Sequence, residues 1–238
     1  MSKIIKQDGI SIYNDDYKNV LGKLPDNYVD LIITDPPYKT TKRGGTGNSG
    51  GMCKKKEFSS GNGGFEYNNV PIKEFMPELY RVLKEGSHCY IMTNHVNLHE
   101  MLNVAKDCGF HFIKSLIWNK GNKIMGQCYM SQFEYILFFR KGKHKKINNC
   151  GTSDIIDIPN KKTKDSNGNN IHDTEKPVKL AKILIENSSN EGDLVVDPFV
   201  GVGFVPLACM ELNRRCGGSE LDENYFETTR KRVNGEDL

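Results

Sequence analysis

A chain of 238 residues with 37% hydrophobic and 26% charged positions can bury one full core, so a single α/β domain over residues 1–238, carrying insertions, is expected. Seven cysteines without a Cys-x-x-Cys pair indicate neither a zinc knuckle nor a disulfide framework and fit a reducing cytoplasm. Met1-Ser2-Lys3 opens no signal peptide, and the longest apolar tract, Pro198 to Met210, is too short and too rich in glycine and proline to span a bilayer.

In chain order, Ile4 to Gln7 reads as a short strand ending at Asp8, followed by a helix near Asp15 to Leu24 with Tyr17, Val20, Leu21 and Leu24 on one face. Val29-Asp30-Leu31-Ile32-Ile33-Thr34 is then a buried strand that stops at Asp35-Pro36-Pro37-Tyr38. The prolines fix their own φ and push the residues before them toward extended backbone, so a carboxylate, the following carbonyls and an aromatic ring are held in a stiff array. Such a turn at the carboxyl end of an apolar strand stands where open α/β sheets bind ligands.

Residues 39–67 are rich in glycine, lysine and serine with almost no apolar periodicity, and read as a long mobile loop beside that turn. They hold Lys39, Lys42, Arg43, Lys54, Lys55 and Lys56, with no acid between 39 and 56. Helical spacing resumes from Val70 to Lys84, a strand follows from His88 to Thr93, and a helix from Leu98 to Cys108. Phe110 to Trp118 and Gln132 to Arg140 read as two strands joined in an antiparallel excursion at a sheet edge, with Glu134 inside an otherwise apolar run.

Residues 141–172 form a loop-rich insertion with at most one short strand at Ile155 to Ile158. Between 140 and 164, eight cations, among them Lys143, Lys145, Lys146, Lys161 and Lys162, stand against Asp154 and Asp157. Two basic segments on an otherwise acidic body, for a net charge of only +3, suggest a polyanion partner touched at defined places; the alternative is a pair of solvated lysine-rich loops. Pro177 opens a helix to about Ser188, Asp193 to Asp197 is a buried strand, Val205 to Asn213 a helix, Arg215 to Ser219 a strand and Glu223 to Val233 the last helix. Strands alternating with helices imply a doubly wound, mostly parallel sheet with an antiparallel edge hairpin.

A second site lies at Asp197-Pro198-Phe199-Val200-Gly201-Val202-Gly203, a strand-ending acid and a glycine turn leading into a helix. Glycines there let backbone pass close to a ligand. Glu220 ends the next strand roughly 20 residues on, where a carboxylate gripping ribose hydroxyls is expected. Pro206 occupies the place of a third glycine, which favours a nucleoside over a pyrophosphate. His95 and His99 share an i, i+4 spacing but lack the glutamate and third ligand of a hydrolytic site; they read as surface or packing histidines, and no metal is expected. Trp118 reads as core.

Together, the Asp35-Pro36-Pro37-Tyr38 turn, the Asp197-Pro198-Phe199-x-Gly201-x-Gly203 turn and Glu220 resemble the motifs of S-adenosylmethionine-dependent DNA amino-methyltransferases. The catalytic turn precedes the cofactor turn, the circularly permuted order of the family's β group. The likeness extends through Leu116-Ile117-Trp118-Asn119-Lys120, Phe133 to Leu137 and Thr174-Glu175-Lys176-Pro177; Gln7-Asp8 stands where the family usually has Gly-Asp.

What the resemblance implies is a Rossmann-like methyltransferase fold, S-adenosylmethionine as cofactor, and methylation of an exocyclic amino group in double-stranded DNA, adenine first because the turn begins with Asp. It assigns Asp35, Pro36, Pro37 and Tyr38 to catalysis. Asp8, Asp35, Lys176, Asp197, Pro198, Phe199, Gly201, Gly203, Glu220 and Leu221 are assigned to the cofactor. The lysines and Arg43 of the two basic segments then face DNA, with 141–172 as a small target-recognition insertion. A homodimer and a cognate restriction nuclease are further partners the family allows. Asp35 and the Pro36 carbonyl would accept the amino hydrogens and free the lone pair, and Tyr38 would stack on a flipped base. The rivals are cytosine amino methylation, an RNA or protein-glutamine methyltransferase, and a catalytically silent DNA- or nucleoside-binding module.

Overall fold

The computed structural model describes residues 2–37, 70–124, 129–164, 166, 168, 170 and 175–238. Residues 39–67, expected above to form a loop, and Tyr38 therefore lie outside the described residues.

The chain begins with an antiparallel hairpin, β1 (Ile4–Gln7) and β2 (Ile10–Tyr13), closed by Asp8-Gly9 with both residues at positive φ (44° and 84°). That is the geometry a two-residue Asp-Gly turn adopts, because its twist matches that of the flanking strands. After α1 (Tyr17–Leu21), capped by the Asp16 carboxylate, β3 (Val29–Thr34) runs through the centre of the molecule. Then come α2 (Ile72–Val82), β4 (Leu83–Thr93), α3 (Leu98–Asp107), and the long hairpin β5 (His111–Ile124) and β6 (Ser131–Arg140). The chain ends with β7 (Ile155–Asp157), α4 (Val178–Ser188), β8 (Leu194–Asp197), α5 (Phe204–Glu211), β9 (Arg215–Ser219) and α6 (Glu223–Asn234).

The described strands form one sheet in the order β1-β2-β9-β8-β3-β4-β6-β5-β7. From β2 to β4 every pairing is parallel. The β5–β6 hairpin enters antiparallel to β4, and β7 adds parallel to β5 beyond it. The mostly parallel, doubly wound sheet is thus present, with antiparallel pairing near both edges. β7 is the true edge strand on the hairpin side.

Alternation across the pleat divides the core in two. Leu31 and Ile33 pack with Tyr90, Met92 and Trp118 against α4 and α5, whereas Ile32 packs with Cys89 and Ile91 against α2 and α3. With both faces covered, the middle of β3 is apolar on both sides of the pleat, Leu31-Ile32-Ile33, and Asp30 near its start is only half-buried. Trp118 is wholly buried and its indole N–H donates to the Ile158 carbonyl at 2.9 Å. His95 and His99 are exposed. No described helix is long and apolar enough to cross a membrane.

Candidate active site

The carboxyl ends of β3, β8 and β9 lie side by side; β8 ends in Asp197, and Asp35 and Glu220 follow directly after β3 and β9. Thr34, the last residue of β3, donates its hydroxyl to Asp197 Oδ1 at 2.7 Å, and the Phe199 N–H reaches the same oxygen at 3.0 Å. Asp197 Oδ2 is buried with no hydrogen-bond partner among the described residues. Burial pushes this carboxyl up to about 7. Glu220, just past β9, accepts the Gly201 N–H at 2.7 Å on one oxygen and the Asp222 N–H at 2.8 Å on the other. Burial raises it also to about 7. A buried acid this easily protonated favours a ligand bringing donors or positive charge.

Three glycines shape the turn between these acids. Gly201 has φ 57°, and a Cβ there would meet nothing within 4 Å. Gly203 caps α5 at φ 89°, and Gly218 in β9 lies so close to β8 that a Cβ would stand 2.2 Å from the Asp197 carbonyl oxygen. The Ser219 hydroxyl donates to the Pro198 carbonyl at 2.7 Å, fixing the turn from below. Phe199 packs its ring on Tyr17 and Phe75, with centroids 5.0 and 5.6 Å away. Leu221 is 46% exposed beside Glu220.

Asp35 belongs to a second group of charges. One of its oxygens, Oδ2, is held by the Lys176 ammonium, which is 4% exposed and also lies 3.4 Å from Glu134 of β6. Glu134 in turn is bound by Lys120 of β5. Asp35 Oδ1 is buried without a hydrogen-bond partner among the described residues. Burial raises the Asp35 carboxyl above its ordinary value, against the pull of Lys176. Burial also pushes Glu134 upward, but Lys176 and Lys120 together outweigh it and hold that carboxyl low.

The residue before Lys176 anchors the segment. Glu175 forms an ion pair with Arg232 of α6 at 3.0 Å and accepts the Thr163 N–H and hydroxyl at 2.7 and 2.9 Å.

Asp35, Pro36, Pro37, Lys176, Asp197, Pro198, Phe199, Gly201, Gly203, Glu220 and Leu221 thus gather at one end of the sheet. Tyr38, Lys39, Lys42, Arg43, Lys54, Lys55 and Lys56 lie outside the described residues. Asp8 does not join the residues gathered at that end of the sheet. It sits in the β1–β2 turn beside Arg215, at the start of β9, because β2 runs parallel to β9 from Ile10 opposite Cys216 to Tyr13 opposite Ser219. The residue that follows β2 at the site end is Asn14, whose amide donates to the Glu220 and Leu221 carbonyls at 2.9 and 3.2 Å. The strand β2 was legible in Asp8-Gly9 followed by the alternating Ile10-Ser11-Ile12-Tyr13.

The second basic segment divides. Lys143, Lys145 and Lys146 follow β6 at the amino end of β4, where the Lys145 carbonyl meets His88 Nε2 and the Lys143 N–H meets Glu85. They stand at the opposite end of the sheet from Asp35. Lys161 and Lys162 are at the Asp35 end: Lys162 donates to the Glu175 carbonyl at 2.8 Å. Burial, with Lys176 nearby, lowers the Lys162 ammonium to about 8.

Residues 29–231 match the family model described as DNA methylase. The chain is 31% identical over 240 residues to the type II methyltransferase M.HpaI of Haemophilus parainfluenzae, covering 91% of this chain and 71% of that protein. It is 27% identical to the type II methyltransferase M2.DpnII of Streptococcus pneumoniae, covering 95% and 90% of the two. Among solved structures, the M1.HpyAVI complex with SAM superposes with a TM-score of 0.69 at 24% identity, over 94% of this chain and 99% of that one. The cytosine-N4-specific PvuII DNA methyltransferase gives 0.69 at 16% identity, over 96% and 94%.

Proposed function

Because the chain belongs to the DNA methylase family, we propose that it methylates the exocyclic amino group of adenine in double-stranded DNA, with S-adenosylmethionine as methyl donor. The observation that carries this reading is Asp35 Oδ1, a buried acceptor with no donor among the described residues, at the end of the central strand and beside a second donor-seeking carboxylate, Asp197. An amino group bearing two hydrogens supplies what Asp35 lacks. The relatives' names, type II methyltransferases, support the wider reading.

The cofactor side fits as well. S-adenosylmethionine when bound supplies a methyl group activated on a sulfonium. Its hydroxyls, amino group and positive charge suit the unpartnered Asp197 Oδ2, the raised Glu220 and the open space in front of Gly201. Asp197, Phe199, Gly201, Glu220 and Leu221 would hold it. Asp35 and the Pro36 carbonyl accept hydrogen bonds from the target amino group, localise the nitrogen lone pair and offset the positive charge that grows on that nitrogen. The base must leave the helical stack to reach a carboxylate this deeply set. Tyr38 is assigned the stacking face, and Lys161 with Lys162 the phosphate backbone.

Two finer assignments extend the reading: a homodimer in solution, tested by sedimentation, and a nuclease partner of the same site specificity, in keeping with the type II relatives. The decisive test of the main reading is nucleoside mass spectrometry of DNA treated with purified protein and cofactor. N6-methyladenine is expected. Methyl on cytosine alone overturns the base assignment, and methyl on neither base, with cofactor bound and several DNA sources tried, favours a silent binding module.

A further inference from the structure

Asp35 has two oxygens, and the structure treats them differently. Oδ2 is tied to Lys176, while Oδ1 has no hydrogen-bond partner among the described residues. A carboxylate held at one oxygen by a fixed ammonium cannot rotate freely, so the other oxygen points in one direction. The ammonium is itself fixed. Lys176 is almost wholly buried between Asp35 and Glu134, Glu134 is bound by Lys120, and the neighbouring Glu175 is clamped by Arg232 and Thr163. The four charges of the Asp35–Lys176–Glu134–Lys120 chain come from the turn after β3, from the segment leading into α4, from β6 and from β5. They alternate in sign and sum to zero.

We propose that Lys176 and Glu134 are positioning residues for methyl transfer. Lys176 fixes one oxygen of Asp35 so that Oδ1 is presented, ionised, to the target amino group, and Glu134, braced by Lys120, holds Lys176 in that place. The proposal rests on the methyltransferase reading and gives Lys176 a role toward the base rather than toward the cofactor. Its physical basis is the cost of a buried charge. A carboxylate taken out of water stays ionised when a cation lies within hydrogen-bonding reach, and an unpaired ammonium is as costly to bury as the carboxylate. Among the described residues, the charged and titratable groups near Asp35 are Lys176, Glu134 and Lys120, with Asp197 on the side of the glycine turn and Lys162 and Glu175 behind Lys176.

The test is the pH dependence of methylation, read together with cofactor affinity, for Lys176→Met, Lys176→Arg and Glu134→Gln in the full chain. Lys176→Met leaves Asp35 without its cation, so the acid limb of the rate profile should move up by about one to three pH units, the scale of removing one neighbouring opposite charge. Turnover at neutral pH should fall about 100-fold, as when one oriented electrostatic partner is removed, and recover in part at alkaline pH. Lys176→Arg should restore much of the rate. Glu134→Gln frees Lys176 on one side, so turnover at neutral pH should fall, and it also removes a like charge from the neighbourhood of Asp35, which draws the acid limb down. Opposite shifts from two neighbouring residues are not what a merely structural role produces. Cofactor affinity should stay within about twofold of wild type in all three, well below the tenfold that 1.4 kcal/mol represents.

Loss of cofactor affinity in Lys176→Met with an unmoved acid limb would place Lys176 in the cofactor site and overturn the proposal. If Lys176→Met does not fold, Glu134→Gln decides alone: a loss of turnover with cofactor affinity within about twofold of wild type supports the proposal, and wild-type turnover overturns it. Failure of the underlying reading looks different, since wild-type protein would then methylate no DNA at any pH.

Discussion

Asp35 and Glu220 are both buried carboxylates at strand ends, yet their surroundings assign them different work. Asp35 keeps one oxygen without a hydrogen-bond partner among the described residues, whereas both oxygens of Glu220 already accept backbone N–H groups, from Gly201 and Asp222. Asp35→Ala should therefore abolish methyl transfer while cofactor binding, measured by calorimetry, falls by less than tenfold; equal loss of both would move Asp35 into the cofactor pocket. For Glu220 the raised value carries a sign. A carboxyl pushed up to about 7 holds more protons folded than unfolded, so its contribution to stability is complete below about pH 4 and is lost as pH rises through about 7. Asp197 behaves likewise. A ligand that donates hydrogen bonds favours the ionised form, so cofactor binding should release protons near neutral pH, up to about half a proton from each group. Calorimetry in buffers of different ionisation enthalpy measures that release. Glu220→Gln should diminish it and weaken the cofactor by about 1.5 to 3 kcal/mol, the worth of charge-assisted hydrogen bonds.

At the scale of elements, Asp197 and Glu220 lie side by side because β8 and β9 pair in parallel with Asp197 opposite Gly218, and the missing side chain of Gly218 permits the local close approach. A Cβ at Gly218 would lie 2.2 Å from the Asp197 carbonyl oxygen and 2.7 Å from a Val200 methyl, so the strands must part or the turn must shift. Gly218→Ala should cost about 1 to 3 kcal/mol of stability, as overpacking does, and should also weaken the cofactor, since the displaced atoms belong to its turn. Urea unfolding and cofactor titration on the same variant separate the two effects; full stability with normal binding would show that the strands yield more readily than their close approach implies. β3 and β8 were legible because each is largely a run of β-branched or apolar residues halted by an acid and a turn, whereas β9, Arg215-Cys216-Gly217-Gly218-Ser219, has no such run and was legible only from the acid that ends it about 20 residues after the glycine turn. The charge group around Asp35 was not. Glu134 was visible as an oddity in an apolar strand, but its partner depends on the hairpin register that sets Trp118 opposite Glu134, which brings Lys120 to the same face two residues on. Lys176 meets Asp35 across 141 residues of chain, a pairing no local pattern encodes.

At the scale of the whole molecule, the question is which end of the sheet DNA meets. Sequence alone grouped Lys143, Lys145, Lys146, Lys161 and Lys162 into one basic segment, but the chain between them travels from one end of the sheet to the other. β6 delivers the first three to the amino end of β4, since Arg140 pairs with His88 while Tyr135 pairs with Thr93 at the carboxyl end. Five strand residues separate those pairings, about 17 Å at the usual rise, and the Asp35 crevice lies at the far end. Lys161 and Lys162 return to that end beside Glu175 and Lys176. A duplex placed to deliver a base to Asp35 would meet this second pair first. Substituting Lys161 and Lys162 with Met should weaken DNA binding and reduce the slope of log affinity against log salt by about 0.9 for each phosphate no longer neutralised. The exposed Lys161 should account for more of it than Lys162, whose ammonium is already engaged with the Glu175 carbonyl. Replacing Lys143, Lys145 and Lys146 together should leave the slope unchanged. Filter binding or fluorescence anisotropy over a salt series distinguishes the two sets. A slope that falls when Lys143, Lys145 and Lys146 are replaced would mean that DNA wraps the amino end of the sheet as well, or, if Lys161 and Lys162 then prove silent, that it does not approach Asp35 from the carboxyl end at all.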